Sequence, residues 1–203
     1  MEVGDNFNNR GRELSQLLIP NVRRIGDNFT SSYDNRKLTN LDTPNLEFVG
    51  RGFLSRCESL TQVNLSSLIE AGDGFLHGAN KIESLELPKL EKVGDNCMIA
   101  AFGLKQLIAP ELSQVGMNFL GLNKKLTDIE APNLTIAGEG FLKQNSNLKN
   151  RFIEDNQGII RPNPKSIAEL DMENEITTSE ISLGKRIMQK IRNLFRKKEE
   201  NQR

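Results

Sequence analysis

The chain has no tryptophan, one tyrosine (Tyr33) and one histidine (His77), and aromatic residues make up only 5% of its 203 positions. With one histidine and two cysteines, Cys57 and Cys97, no four-ligand zinc set can be assembled, and no metal is expected. Net charge is absent as well. The 27 basic residues balance 27 acidic ones, so bulk electrostatics gives no reason to expect a nucleic-acid partner. No apolar run approaches the ~18 residues of a membrane-spanning helix. The N-terminal stretch MEVGDNFNN has neither a basic n-region nor an apolar h-region, so a soluble chain without an export signal, cytoplasmic by default, is expected. No G-x-S-x-G, Walker A or dinucleotide fingerprint occurs, and Gly72-Asp73-Gly74 is turn chemistry because an apolar residue follows it instead of a helix start. Neither an enzyme nor a cofactor is expected.

What the chain does have is glycine at a fixed interval. Gly4, Gly26, Gly50, Gly72, Gly94, Gly116 and Gly138 are separated by 22, 24, 22, 22, 22 and 22 residues. Self-similarity at such a period marks a solenoid, here of seven coils. Two residues after each glycine stands Asn6, Asn28, Gly52, Gly74, Asn96, Asn118 or Gly140. Asn and Gly are the residues that best tolerate a left-handed backbone, so a sharp bend is predicted there in every coil. Next comes Phe7, Phe29, Phe53, Phe75, Cys97, Phe119 or Phe141, read as an inward plug at the corner. Cys57 and Cys97 occupy different repeat positions two coils apart. At roughly 4.8 Å per coil that is too far for a disulfide, so both are read as buried small hydrophobes.

Seven residues past the plug, or nine in the longer second coil, comes an L-x-x-L-x-L segment, such as Ile82-x-x-Leu85-x-Leu87, with proline following at Pro20, Pro44, Pro88, Pro110 and Pro132. Its apolar alternation predicts a strand that proline stops. A second apolar pair before each glycine, such as Leu90-x-x-Val93, predicts a strand on another side of the coil. Three residues before each L-x-x-L-x-L stands Asn35, Cys57, Ala79, Ala101, Asn123 or Asn145. A buried asparagine there is positioned to satisfy backbone groups of the adjoining coil.

The run L-x-x-L-x-L-P, then L-x-x-V-G-x-x-F, then a small residue three before the next leucine, resembles a leucine-rich repeat over roughly residues 3 to 156. Among its variants it is most similar to the BspA-like bacterial surface-antigen type. The resemblance implies a parallel-stranded solenoid with short helical turns and extracellular display. Two departures accompany it: Phe-Leu stands at the corner where that type has Ala-Phe, and no wall anchor follows the repeats.

The third and fifth residues of each L-x-x-L-x-L project from the sheet. Gln62, Asn64, Ser84, Glu86, Gln106, Ile108, Asp128 and Glu130 therefore form an amide-rich, mildly acidic face with Ile108 as an apolar island. Such rows at coil spacing suit recognition of an extended protein or glycan surface, and equally serve solubility. Ile99, Phe102 and Leu122 stand where other coils are polar. They mark a second contact or fill a local gap in the corner.

The expected organisation is a solenoid over 1–157, an acidic linker over 158–178 and a basic amphipathic helix over 179–203. Arg151 breaks the core pattern in coil seven, and Phe152-Ile153 is expected to bulge and finish the stack. Arg161-Pro162-Asn163-Pro164 reads as a stiff linker. Thr177-x-x-Glu180 is a capping box opening ISLGKRIMQKIRNLFRKK, whose polar face carries Lys185, Arg186, Lys190, Arg192, Arg196, Lys197 and Lys198. That helix folds back over the last coil, lies on an anionic membrane or an acidic partner, or stays disordered until something meets it. The leading expectation is a non-catalytic scaffold binding a protein partner through the polar sheet face. The alternatives are a peripheral membrane protein held by its last helix, or part of a self-associating repeat assembly.

Overall fold

A computed structural model describes residues 1–7, 14–29, 36–145, 148, 152–154 and 160–162. Short strands alternate along the chain. The first coils contain β1 (Glu2–Val3), β2 (Gln16–Leu18), β3 (Arg24–Ile25), β4 (Asn40–Asp42), β5 (Phe48–Val49) and β6 (Gln62–Asn64). Next come β7 (Glu70–Ala71), β8 (Ser84–Glu86), β9 (Lys92–Val93), β10 (Gln106–Ile108), β11 (Gln114–Val115), β12 (Asp128–Glu130) and β13 (Ile136–Ala137). Finally, β14 (Phe152–Glu154) and β15 (Ile160–Pro162) form an antiparallel pair.

The odd-numbered strands β1 to β13 stack in order as one parallel seven-stranded sheet. The even-numbered strands form a second side, β2-β4-β6 and β8-β10-β12, also parallel. The result is a solenoid of about six turns. The seventh glycine coil adds β13 to the first side, but its second side ends in the β14–β15 hairpin instead of another parallel strand. Arg161 and Pro162, read in the sequence as linker, lie in that hairpin.

Burial follows the alternation of each strand. In β8, Leu85 is buried while Ser84 and Glu86 are exposed, and in β9 Val93 is buried beneath exposed Lys92. Leu38, Leu60, Ile82, Leu104, Leu126 and Leu148 form one buried column, and Leu46, Leu68, Leu90, Leu112 and Leu134 form another. Each such leucine is worth about 1.5–3 kcal/mol of burial, which no coil could realise alone. The corner column is aromatic. Phe7, Phe29, Phe53 and Phe75 stack with ring centroids 5.4, 5.4 and 6.2 Å apart, and Phe119 stacks on Phe141 at 6.3 Å. Cys97 takes the place between Phe75 and Phe119, fully buried. Phe7, stacked on one side only, keeps 48% of its surface exposed. Phe152, in the segment expected to finish the stack, packs edge-on against Phe141 at 5.3 Å.

The predicted bends are present: Asn6, Asn28, Gly52, Gly74, Asn96, Asn118 and Gly140 all have φ between 55° and 81°. The expected short helical turns are replaced by something else. In the central coils, the residues two and four positions further on are also left-handed, among them Leu54, Arg56, Leu76, Gly78, Met98 and Ala100. A helix cannot run through alternate left-handed residues, because each reverses the direction of its peptide groups. The corner is therefore a chain of tight turns (Ser55 N–H to Gly52 C=O, Cys57 N–H to Leu54 C=O) linked from coil to coil by bonds such as Leu76 N–H to Phe53 C=O.

Candidate interaction surface

Rungs hold each other in register through side chains 22 or 24 residues apart. Asp5 Oδ1 accepts from the backbone N–H of Asp27 (2.8 Å), Asp27 from Arg51 (2.7 Å), Asp73 from Asp95 (2.8 Å) and Asp95 from Met117 (2.7 Å). Each carboxylate lies against the glycine of the next coil. A Cβ on Gly26 or Gly94 would meet the aspartate and its backbone nitrogen, 2.8 Å away. The glycine column thus answers to a close approach of neighbouring coils, while the left-handed backbone is needed two residues later. Reading the sequence located both columns but missed the aspartates, although Asp5, Asp27, Asp73 and Asp95 occupy one repeat position. The buried amides act as expected: Asn123 Nδ2 donates to Met98 C=O (2.7 Å) and Asn145 Nδ2 to Leu120 C=O (3.0 Å). Asn123 Oδ1 is left buried without a partner.

On the second side the even-numbered strands place their first and third residues outward. Gln62, Asn64, Ser84, Glu86 and Glu130 are exposed; Gln106, Ile108 and Asp128 are half-buried. Ile108 is thus less of an apolar island than its sequence position suggested. Several of these side chains bind one another across rungs. Asn64 Nδ2 donates to Asp42 Oδ1 (2.7 Å), Ser84 Oγ to Gln106 Oε1 (3.4 Å) and Gln106 Nε2 to Asp128 Oδ2 (3.2 Å). The ladder pre-organises the face and occupies part of its hydrogen-bonding capacity. Beside it, Lys105 Nζ bonds Glu83 Oε2 at 2.8 Å, and that bond and charge hold the Glu83 carboxyl below its usual range.

Of the second patch, Phe102 is 51% exposed and Ile99 and Leu122 are half-buried. Ile99 lies against Gly121, where an added Cβ would come within 3.6 Å of its Cγ1. It fills space that glycine leaves. The expected basic helix (Lys185, Arg186, Lys190, Arg192, Arg196, Lys197, Lys198), the acidic linker beyond Pro162 and the longer second coil around Tyr33 lie outside the described residues.

The chemistry elsewhere is quiet. Burial pushes the Cys97 thiol up to about 12, so it stays protonated, and its Sγ lies 3.3 Å from Gly72 C=O. Neither cysteine is in a disulfide. His77 is held below its ordinary pKa, first by burial and then by the Arg56 charge. Among the described residues no group of three His, Cys, Asp or Glu side chains converges to hold a metal. Over the odd-numbered sheet, Glu2, Arg24, Phe48 and Glu70 wall a groove of about 470 Å³ whose floor includes Gly4, Gly26, Gly50 and Gly72. Arg24 lies 4.4 Å over the Phe48 ring and 3.6 Å from Glu2. Sequence reading did not single out this groove.

No curated protein and no solved structure matches the chain. The BspA type leucine-rich repeat region matches it in six copies, over residues 3–119 and 72–180. With coils of that period stacked through leucine columns in parallel sheets, the chain belongs to the BspA-type leucine-rich repeat family.

Proposed function

We propose that this protein is a non-catalytic scaffold that holds a protein partner against the outward face of its even-numbered strands. The observation that carries the reading is the spacing of that face. Two sets of three rungs place outward side chains in columns, polar except at Leu18 and Ile108, and cross-rung hydrogen bonds fix several of them before any partner arrives. A pre-ordered surface loses little side-chain entropy on binding, so weak individual contacts can sum. Asp42, Glu86, Asp128 and Glu130 give the face acidic character, and β2 to β12 carry no basic residue on that side. A partner surface with basic and amide groups complements it.

The test compares partner capture by immobilised full-length protein with capture by a Glu86→Lys/Glu130→Lys variant. Lys92→Glu, on the opposite sheet, serves as control. Capture lost in the double variant and kept in the control supports this reading; equal capture by all three removes it.

A further inference from the structure

The outward face of the even-numbered strands is not one sheet. Its ladder runs through β2, β4 and β6, stops, and resumes through β8, β10 and β12. At other junctions one set of bonds recurs. On one flank Thr61 N–H donates to Thr39 C=O, Lys105 N–H to Glu83 C=O and Thr127 N–H to Lys105 C=O. On the other, Thr43 N–H donates to Asn64 C=O, Leu87 N–H to Ile108 C=O and Ala109 N–H to Glu130 C=O. Between β6 and β8 the corresponding bonds would run from Glu83 N–H to Thr61 C=O and from Leu65 N–H to Glu86 C=O. Neither is made.

The same two coils are closed on their other sides. There β5 pairs with β7, Gly52 N–H donates to Asp73 C=O and Leu76 N–H to Phe53 C=O. The opening is therefore a seam along one face. Solvent reaches its β6 side: Val63, the inward residue of β6, is half-buried, whereas Leu85 across the seam and Leu41 and Leu107 on paired rungs are 0–2% exposed. In this Val63 resembles Ile129 of the outermost strand β12.

We propose that the seam between β6 and β8 is the docking slot for an extended peptide segment of a protein partner, which enters as an added strand. This rests on the scaffold reading and locates its site. A strand edge leaves N–H and C=O groups that only another β-conformation backbone satisfies in full, and here two edges face one another. An inserted strand takes one further rung of about 4.8 Å, which the coils supply by opening away from the intact β5–β7 pair. The side-chain requirements follow from alternation. The middle residue lies between Val63 and Leu85 and is apolar. Its neighbours lie between Gln62 and Ser84 and between Asn64 and Glu86, and are polar. Glu86 is exposed and makes no ion pair among the described residues, so a basic residue is favoured beside it.

The experiment uses the full 203-residue protein. Amide exchange is followed residue by residue, first alone and then with short peptides selected from a displayed random library on the immobilised chain. In the free protein the Leu65 and Glu83 amides should exchange at least about tenfold faster than Leu87 and Lys105. A selected peptide should slow the first pair and leave the second unchanged, and methylating its central backbone nitrogen should weaken binding at least about tenfold. The proposal is overturned if Leu65 and Glu83 are already as slow as Leu87 and Lys105, or if the library yields no bound peptide. It is also overturned if peptides bind while the seam amides stay fast, as they would on the side-chain face alone; that last outcome leaves the scaffold reading standing.

Discussion

An added Cβ at Gly94 would sit 2.8 Å from the backbone nitrogen of Asp73, whereas at Gly4 it would meet nothing within 4 Å. The two glycines share one repeat position, so they form an internal control. Gly94→Ala should cost about 1–3 kcal/mol in urea unfolding, because backbone must shift, while Gly4→Ala should stay within about 0.5 kcal/mol. At the thiol of Cys97 the reasoning turns on protons. Its folded pKa of about 12 lies above the ordinary 9.0, so the unfolded chain releases this proton first. The stability this group contributes is full below pH 9 and falls as pH rises towards 12, by up to about 1.4 kcal/mol per pH unit. Comparing pH titrations of stability for the native protein and Cys97→Ala should show a steeper alkaline loss in the former. The same burial keeps the thiol from reacting with a disulfide reagent until the protein unfolds.

At the level of the element, the corner run is where local preference and tertiary demand disagree. Leu107 in β10 and Leu120 at the corner are both 0% exposed, but Leu120 has φ near 56°. A β-branched side chain suits a strand and is strained in the left-handed region. Leu120→Ile should therefore destabilise by about 1–2 kcal/mol more than Leu107→Ile in chemical denaturation. The difference measures what the cross-coil bonds, such as Leu120 N–H to Cys97 C=O, hold in place. Strand elements were legible in the sequence because L-x-x-L-x-L alternates. The corner was legible only at its first left-handed residue, since a leucine, methionine or alanine in that conformation leaves no compositional trace.

Over the whole stack, the exposed ion pairs Arg23–Glu47, Arg24–Glu2 and Lys105–Glu83 contribute little beside the leucine and phenylalanine columns. Raising salt well above physiological strength should move the melting temperature by no more than a few degrees. Partner binding through the acidic face should weaken under the same salt, so a differential response of stability and affinity is expected. The outward columns were legible position by position, because strand alternation alone assigns sides. The break between β6 and β8 was not: Gln62-Val63-Asn64 and Ser84-Leu85-Glu86 carry the same pattern as their paired neighbours.

Taken alone, the sequence determined that the chain coils at a period of 22 residues, which side chains face inward, and where the first bend of each corner falls. These follow from local alternation and from residues with few conformational options. Only the tertiary structure decided why glycine recurs, which carboxylates bind the next rung, that alternate left-handed residues replace helical turns, and where the second sheet parts. All of these are set by contacts between residues one coil apart, whose distances no local propensity encodes.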